Sequence, residues 1–277
     1  MKTLLLLTDF SQEATHAAQY ACQLAGQLHT ERIILLYVYP SFQPIAQQPL
    51  TMMADKDMRQ ELSGKMEKLK YSLQSMLNPS VDIRFTVAEG ALSGLVNFVA
   101  RQEKAELIVM GTTYKTGMER AFSGSNTVIL LEESELPVLV VPPAAPLQEL
   151  KNIVLATDIK DVENTLPVNE IAKLLDVPGT KLKVLNIDAG DHEVTADMAE
   201  EMSSLNSLLQ EYTPEYHYLN NDDIIDGIAT FADNEEASLV IVLHEQRNFI
   251  SRMFHESVAD KLPLYLHMPL LSVKKKK

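Results

Sequence analysis

The sequence predicts an α/β protein made of two tandem open parallel five-stranded sheets flanked by helices. Three observations lead there: apolar runs of strand length alternate with helical patterns, the same order of elements occurs twice, and the two occurrences keep a constant register. A chain of 277 residues suits roughly two domains of about 140 residues, each large enough to bury its own core.

In the first half, continuous apolar runs stand at 3 to 7, 33 to 38, 107 to 110 and 138 to 141, with a more alternating run at 81 to 87. They are aliphatic or β-branched and of strand length. Between the first two, Ala14, Ala17, Ala18, Ala21, Ala25 and Leu28 recur at helical spacing, and Ser11 stands where an N-cap belongs. Runs apolar on both faces and separated by helices indicate a parallel sheet with helical crossovers. The second half repeats the order, with strands near 152 to 156, 181 to 187, 215 to 219, 239 to 243 and 270 to 273.

The repetition can be counted. Thr3 to Asp9 recurs as Asn152 to Asp158, and Asp158 minus Asp9 is 149; Leu107 to Met110 recurs as Leu239 to Val242, an offset of 132. The second offset also superposes Arg120 on Arg252, Phe122 on Phe254, Ser125 on Ser257, and Pro137 to Val140 on Pro269 to Ser272. The difference, 149 minus 132, is 17 residues, assigned to the segment from Tyr39 to Asp57, whose Pro40, Pro44 and Pro49 read as a surface loop. Pro142, Pro143 and Pro146 make a stiff, extended seam. The domains are therefore drawn as 1–146 and 147–277.

Composition bounds the partners. The net charge of -14 repels phosphate backbones and anionic lipid, which disfavours nucleic acid and membrane surfaces. The opening leucine run ends at Thr8 and Asp9, too short to span a bilayer, and lacks a signal-peptide cleavage region. The single cysteine, Cys22, excludes an internal disulfide and fits a cytoplasmic location. It sits on the apolar face of the first helix and reads as a small buried hydrophobe. Lys274 to Lys277 read as a solvated tail.

In open α/β sheets, ligands lie beyond the carboxyl ends of the strands. Asp9 falls there, where it serves equally as an acceptor for a sugar or base or as a helix cap; Asp158 falls at the same place in the second copy. After the fourth strand come Gly111, Thr112, Thr113 and Tyr114, then Gly124, Ser125, Asn126 and Thr127 at a helix start. Such elements either clamp phosphates through backbone amides or merely turn the chain and cap a helix. Lys115-Thr116 is not a P-loop, since Tyr114 precedes the lysine.

The pattern Gly111-x2-Tyr114-x9-Gly124-Ser125, the aspartate closing strand one and the final Pro137 to Val141 run resemble the universal stress protein family, in a tandem form covering residues 1 to 273. The resemblance implies a Rossmann-like, adenine nucleotide alpha hydrolase-like fold packed as an intramolecular pseudo-dimer through the last strands, with Val138 to Val141 beside Leu270 to Val273. It implies a stress-response regulator that binds ATP in the first copy through Thr8, Asp9, Val38, Met110, Gly111, Thr112, Gly124, Ser125, Asn126 and Thr127. Adenine and ribose would lie near Asp9 and Val38, and phosphates near Gly111 and Gly124 to Asn126. The family loop is G-x2-G-x9-G-(S/T), and Tyr114 replaces its second glycine, so a ring stands where a phosphate needs room unless it points outward. In the second copy Leu243, Gln246 and Glu256 replace Gly111, Tyr114 and Gly124, leaving Ser257, and no triphosphate site is expected. The alternative is a scaffold without nucleotide that meets protein partners, with room for a further homodimer.

Other groups carry less. His244, His255 and His267 with Glu245 or Glu256 lack the paired spacing of a zinc motif, and Asn220 to Asp223 reads as a helix cap rather than a calcium loop. Met52, Met53, Met58 and Met66 read as a lid or interface over apolar surface. No nucleophilic triad is legible, so at most slow ATP hydrolysis is expected.

Overall fold

A computed structural model describes residues 1–40, 49–112, 125–188, 196–244 and 268–275. Its strands are β1 (Thr3–Leu7), β2 (Arg32–Tyr39), β3 (Asp82–Glu89), β4 (Leu107–Gly111), β5 (Val138–Val141), β6 (Asn152–Ala156), β7 (Lys181–Asp188), β8 (Glu215–Asn220), β9 (Leu239–His244) and β10 (Leu270–Lys274). The described helices are α1 (Gln12–Gln27), α2 (Pro49–Gln74), α3 (Leu92–Glu103), α4 (Ser125–Glu133), α5 (Val162–Thr165), α6 (Val168–Leu175), α7 (Ala196–Leu209) and α8 (Ile224–Asn234).

The strands form one ten-stranded sheet in the order β3-β2-β1-β4-β5-β10-β9-β6-β7-β8. Each half is parallel, and the halves meet where β10 runs antiparallel to β5, with Leu270 opposite Val140, Leu271 opposite Leu139 and Ser272 opposite Val138. That is the pairing of last strands implied by the family resemblance.

The two sides of this sheet are organised differently. On one, a continuous core runs from Leu4, Ala17 and Met66 of the first half through Val141 and Val273 to Ile171 and Leu205 of the second. On the other, two separate cores form, one under α3 and α4 with Val96 and Leu130, the other under α8 with Ile228 and Phe231. Alternation of side chains across a strand explains the split, because Leu4 and Leu6 face the shared core while Leu5 and Leu7 face the private one.

One backbone contact repeats across the halves. The amide of Lys2 donates to the Glu106 carboxylate, and at the corresponding place the amide of Lys151 donates to Ser238 Oγ at 2.9 Å. Glu106 uses its other oxygen to accept from Lys173 Nζ at 2.7 Å, which ties the first half to α6 of the second. Burial raises the Glu106 carboxyl, but Lys173 and the Lys2 amide outweigh it and hold the group below its usual range.

Several expectations change. The inserted segment is not a loop up to Asp57, since α2 begins at Pro49, a residue well suited to a first helical turn. Its Met66 is fully buried in the shared core and Met58 is exposed; the side chains of Met52 and Met53 lie outside the described residues. The seam is not an extended rod. The Ala145 amide closes a turn onto the Pro142 carbonyl at 3.1 Å, Ala145 and Leu150 are buried, and α1 holds the segment through His16 Nε2 on the Ala145 carbonyl (2.8 Å) and Gln27 on the Leu150 amide (2.8 Å). Apolar seam residues pack on α1 because the shared core continues beneath them. Cys22 is buried as expected, and burial pushes its thiol up to about 12.

Candidate functional site

The carboxyl ends of β1, β2 and β4 open into a cavity of about 260 Å³. Thr8, Asp9, Val38, Met110, Gly111, Thr112, Asn126 and Thr127 line it, so the structure brings these eight sequence-expected positions together. Ser125 is the first residue of α4; its side chain, and all of Gly124, Tyr114 and Gly117, lie outside the described residues.

Local chemistry shapes the floor. Thr8 extends the strand, its amide donating to the Leu36 carbonyl at 3.0 Å, while its hydroxyl accepts from the Phe10 amide at 3.1 Å. Asp9 is exposed and accepts from the Ser11 amide at 2.9 Å through one oxygen. Ser11 then caps α1 by accepting from the Ala14 amide at 3.1 Å. Asp9 thus shapes the helix approach, Ser11 does the capping, and Asp9 is one of the residues lining the cavity. Between them Phe10 adopts φ 65°, a costly conformation for an aromatic residue, held while its ring stacks on Tyr37 at 4.9 Å.

Gly111 lines the cavity and also has a packing role. A Cβ there would lie 2.6 Å from the Glu13 carbonyl oxygen, so the glycine lets β4 end against the first turn of α1. The next amide, of Thr112, donates to the Val141 carbonyl at 3.2 Å and so belongs to the sheet. The first turn of α4, whose amides have no partner within the helix itself, borders the same cavity through Asn126 and Thr127.

The sequence reading did not include Ser11, Glu13, Leu36, Leu92 or Leu130 in this lining. Ser11 and Glu13 carried the ordinary signals of a helix start, and the leucines those of core positions. Asp9 and Glu13 are the cavity's acidic lining residues, and no basic residue is among the described ones.

The second half has a counterpart cavity of about 100 Å³ at the ends of β6, β7 and β9. The offsets map its wall onto the first: Ala156 on Leu7, Asp158 on Asp9, Ile187 on Val38, Ile224 on Leu92 and Leu243 on Gly111. In the second half Pro167 interrupts the helix that α1 would match, leaving among the described residues the four-residue α5 and the later α6. The terminal lysines are not all solvated, contrary to expectation: Lys274 ends β10, and Lys275, its side chain only 8% exposed, pairs with Asp158 at 3.1 and 3.2 Å. β10 ends beside β9, whose other neighbour is β6, and Lys275, the residue after it, lines this cavity.

Asp223 caps α8, as expected for the Asn220 to Asp223 run, accepting from the Asp226 amide at 3.0 Å. Among the described residues no three His, Cys, Asp or Glu side chains converge as metal ligands; the side chain of His244, and all of Glu245, Gln246, His255, Glu256, Ser257 and His267, lie outside them. Among the described residues no helix is long and apolar enough to cross a membrane.

Comparison with known proteins bears on the same halves. The model of the universal stress protein family matches residues 1–142. Two universal stress proteins of Methanocaldococcus jannaschii are similar to the chain, one 29% identical over 141 residues, covering 50% of the chain and 81% of the relative, the other 26% identical over 153 residues, covering 50% and 94%. The crystal structure of a universal stress protein from Archaeoglobus fulgidus superposes with a TM-score of 0.76 at 14% identity, covering 99% of this chain and 97% of that one, which shows the likeness of fold along both halves.

Proposed function

The chain belongs to the universal stress protein family, and from that premise we propose that it is a stress-response regulator of the cytoplasm whose first domain, residues 1–146, binds ATP or a related adenine nucleotide without rapid turnover. The observation that carries the reading is the single cavity that joins Asp9, the apolar side chains of Val38, Leu92 and Met110, and the start of α4. Asp9 accepts hydrogen bonds from ribose hydroxyls or the adenine amine, and the apolar wall packs the base. With Asp9 and Glu13 on the α1 side, like-charge repulsion turns the phosphates toward Asn126, Thr127 and the first amides of α4. Gly124 and Ser125 complete that end in this reading.

Equilibrium binding of labelled ATP to the purified chain tests the proposal. Saturable binding at one site supports it; no saturable binding at millimolar nucleotide removes it.

A second reading, a scaffold that binds protein partners and no nucleotide, draws support from Gly111. Its packing against Glu13 accounts for the glycine without a ligand, and Tyr114 departs from the family loop. Tyr114→Gly separates the two: ATP binding gained only in the variant favours the scaffold for the natural chain.

A further inference from the structure

We infer that the second-half cavity is a binding site for a short-chain monocarboxylate, distinct in ligand class from the first. Its wall is apolar, with Ala156, Leu185, Ile187, Ile228 and Leu243, and the large side chain of Ile224 stands 36% exposed at its edge. Polarity is confined to one end, where Thr157, Asp158 and Lys275 meet. An apolar pocket with a charged group at one end fits an amphiphile. At about 100 Å³ it holds a short alkyl chain, given that a closed apolar cavity of about 150 Å³ takes a benzene ring.

The sign of the head group follows from exposure within the ion pair. The Lys275 side chain is 8% exposed and that of Asp158 is 44% exposed. An incoming carboxylate can take the place of Asp158 on the ammonium while Asp158 turns to water at small cost. An incoming amine would have to displace the more buried partner, Lys275, from the Asp158 carboxylate. At the position equivalent to Lys275 by the 132 offset the first half has Pro143, and no basic side chain is among the described lining residues of its cavity. Leu243, at the position of Gly111, fills with methyls the space where a more polar ligand would sit.

Methyl NMR of the full chain, followed at Ile187, Ile224 and Ile228 during titration with pentanoate, pentanol, pentylamine or ATP, tests the site. Pentanoate is expected to shift these methyls saturably in the millimolar range, about tenfold more tightly than pentanol. Lys275→Met should abolish that preference and leave pentanol binding unchanged, with the methyl signals of the first-half core unmoved as evidence of an intact fold. Equal affinity for pentanoate and pentanol, tighter binding of pentylamine, saturable shifts with ATP at these methyls, or no saturable shift with pentanoate would each overturn the inference. ATP binding in the first half is read from different residues, so either proposal can fail alone.

Discussion

The two halves share their strand ends and differ in the helical segments beyond them. Thr8-Asp9-Phe10 and Thr157-Asp158-Ile159 have the same backbone, with left-handed third residues (φ 65° and 49°) and the threonine hydroxyl accepting from the third amide (3.1 and 3.3 Å). The strained turn therefore belongs to the fold, since it occurs over two cavities with different walls. After it the first half runs straight into α1 and needs Gly111 against Glu13, whereas the second breaks its helix at Pro167 and accommodates Leu243. One glycine, one continuous helix and one larger cavity go together. The lesson is that a family-motif residue can owe its identity to packing and still line a cavity.

The largest test separates the halves. Expressed alone, residues 1–146 lose the β10 partner of β5 and open the shared core at Leu139 and Val141. Sedimentation should find self-association through that edge, because unpaired edges and apolar surface both favour it. A folded monomer would show that the continuous core is dispensable.

Next, Gly111→Leu makes the first half resemble the second without moving α1. With 2.6 Å from the Cβ position to a backbone oxygen, overpacking should cost about 3 kcal/mol in denaturant unfolding and weaken ATP binding. Wild-type stability in the variant would refute the account of this glycine.

Asp9→Asn should weaken ATP about tenfold, or roughly 1.4 kcal/mol, and Asp158→Asn should leave it unchanged. Calorimetry reads both, and equal losses would contradict the assignment of nucleotide to the first half.

The smallest effect concerns the tie between halves. Glu106 is held below its usual range in the folded chain, so its ion pair with Lys173 stabilises above the ordinary carboxylate value of 4.5 and is lost as pH falls through the lower folded value. Glu106→Gln should cost about 1 kcal/mol at pH 7, a modest figure for a partly exposed pair. The difference from the unaltered chain should close as pH falls below 4.5; a gap that persists under acid would show that it does not come from the charge.

Much of the fold was legible because period and burial leave simple marks. Doubly buried strands read as unbroken apolar runs, and β1, β5 and β6 span the expected residues. Helix starts were legible where a side chain caps them, as at Ser11 and Asp223. The start of α2 at Pro49 was not, because a proline marks a first helical turn as readily as a loop. At the site, Asp9, Val38 and Met110 were legible from strand ends, whereas Glu13 and Leu92 come from helices that only the crossovers carry to the same cavity.

The sequence by itself determined the duplication, the register of the two copies and the strand ends where ligands would lie, since these come from local pattern and residue counting. Only the tertiary structure decided that one side of the sheet shares a core, that Gly111 answers to Glu13 and that Lys275 is drawn over the second cavity. Those three depend on contacts between residues distant in the chain, and local pattern does not record how closely two such segments approach.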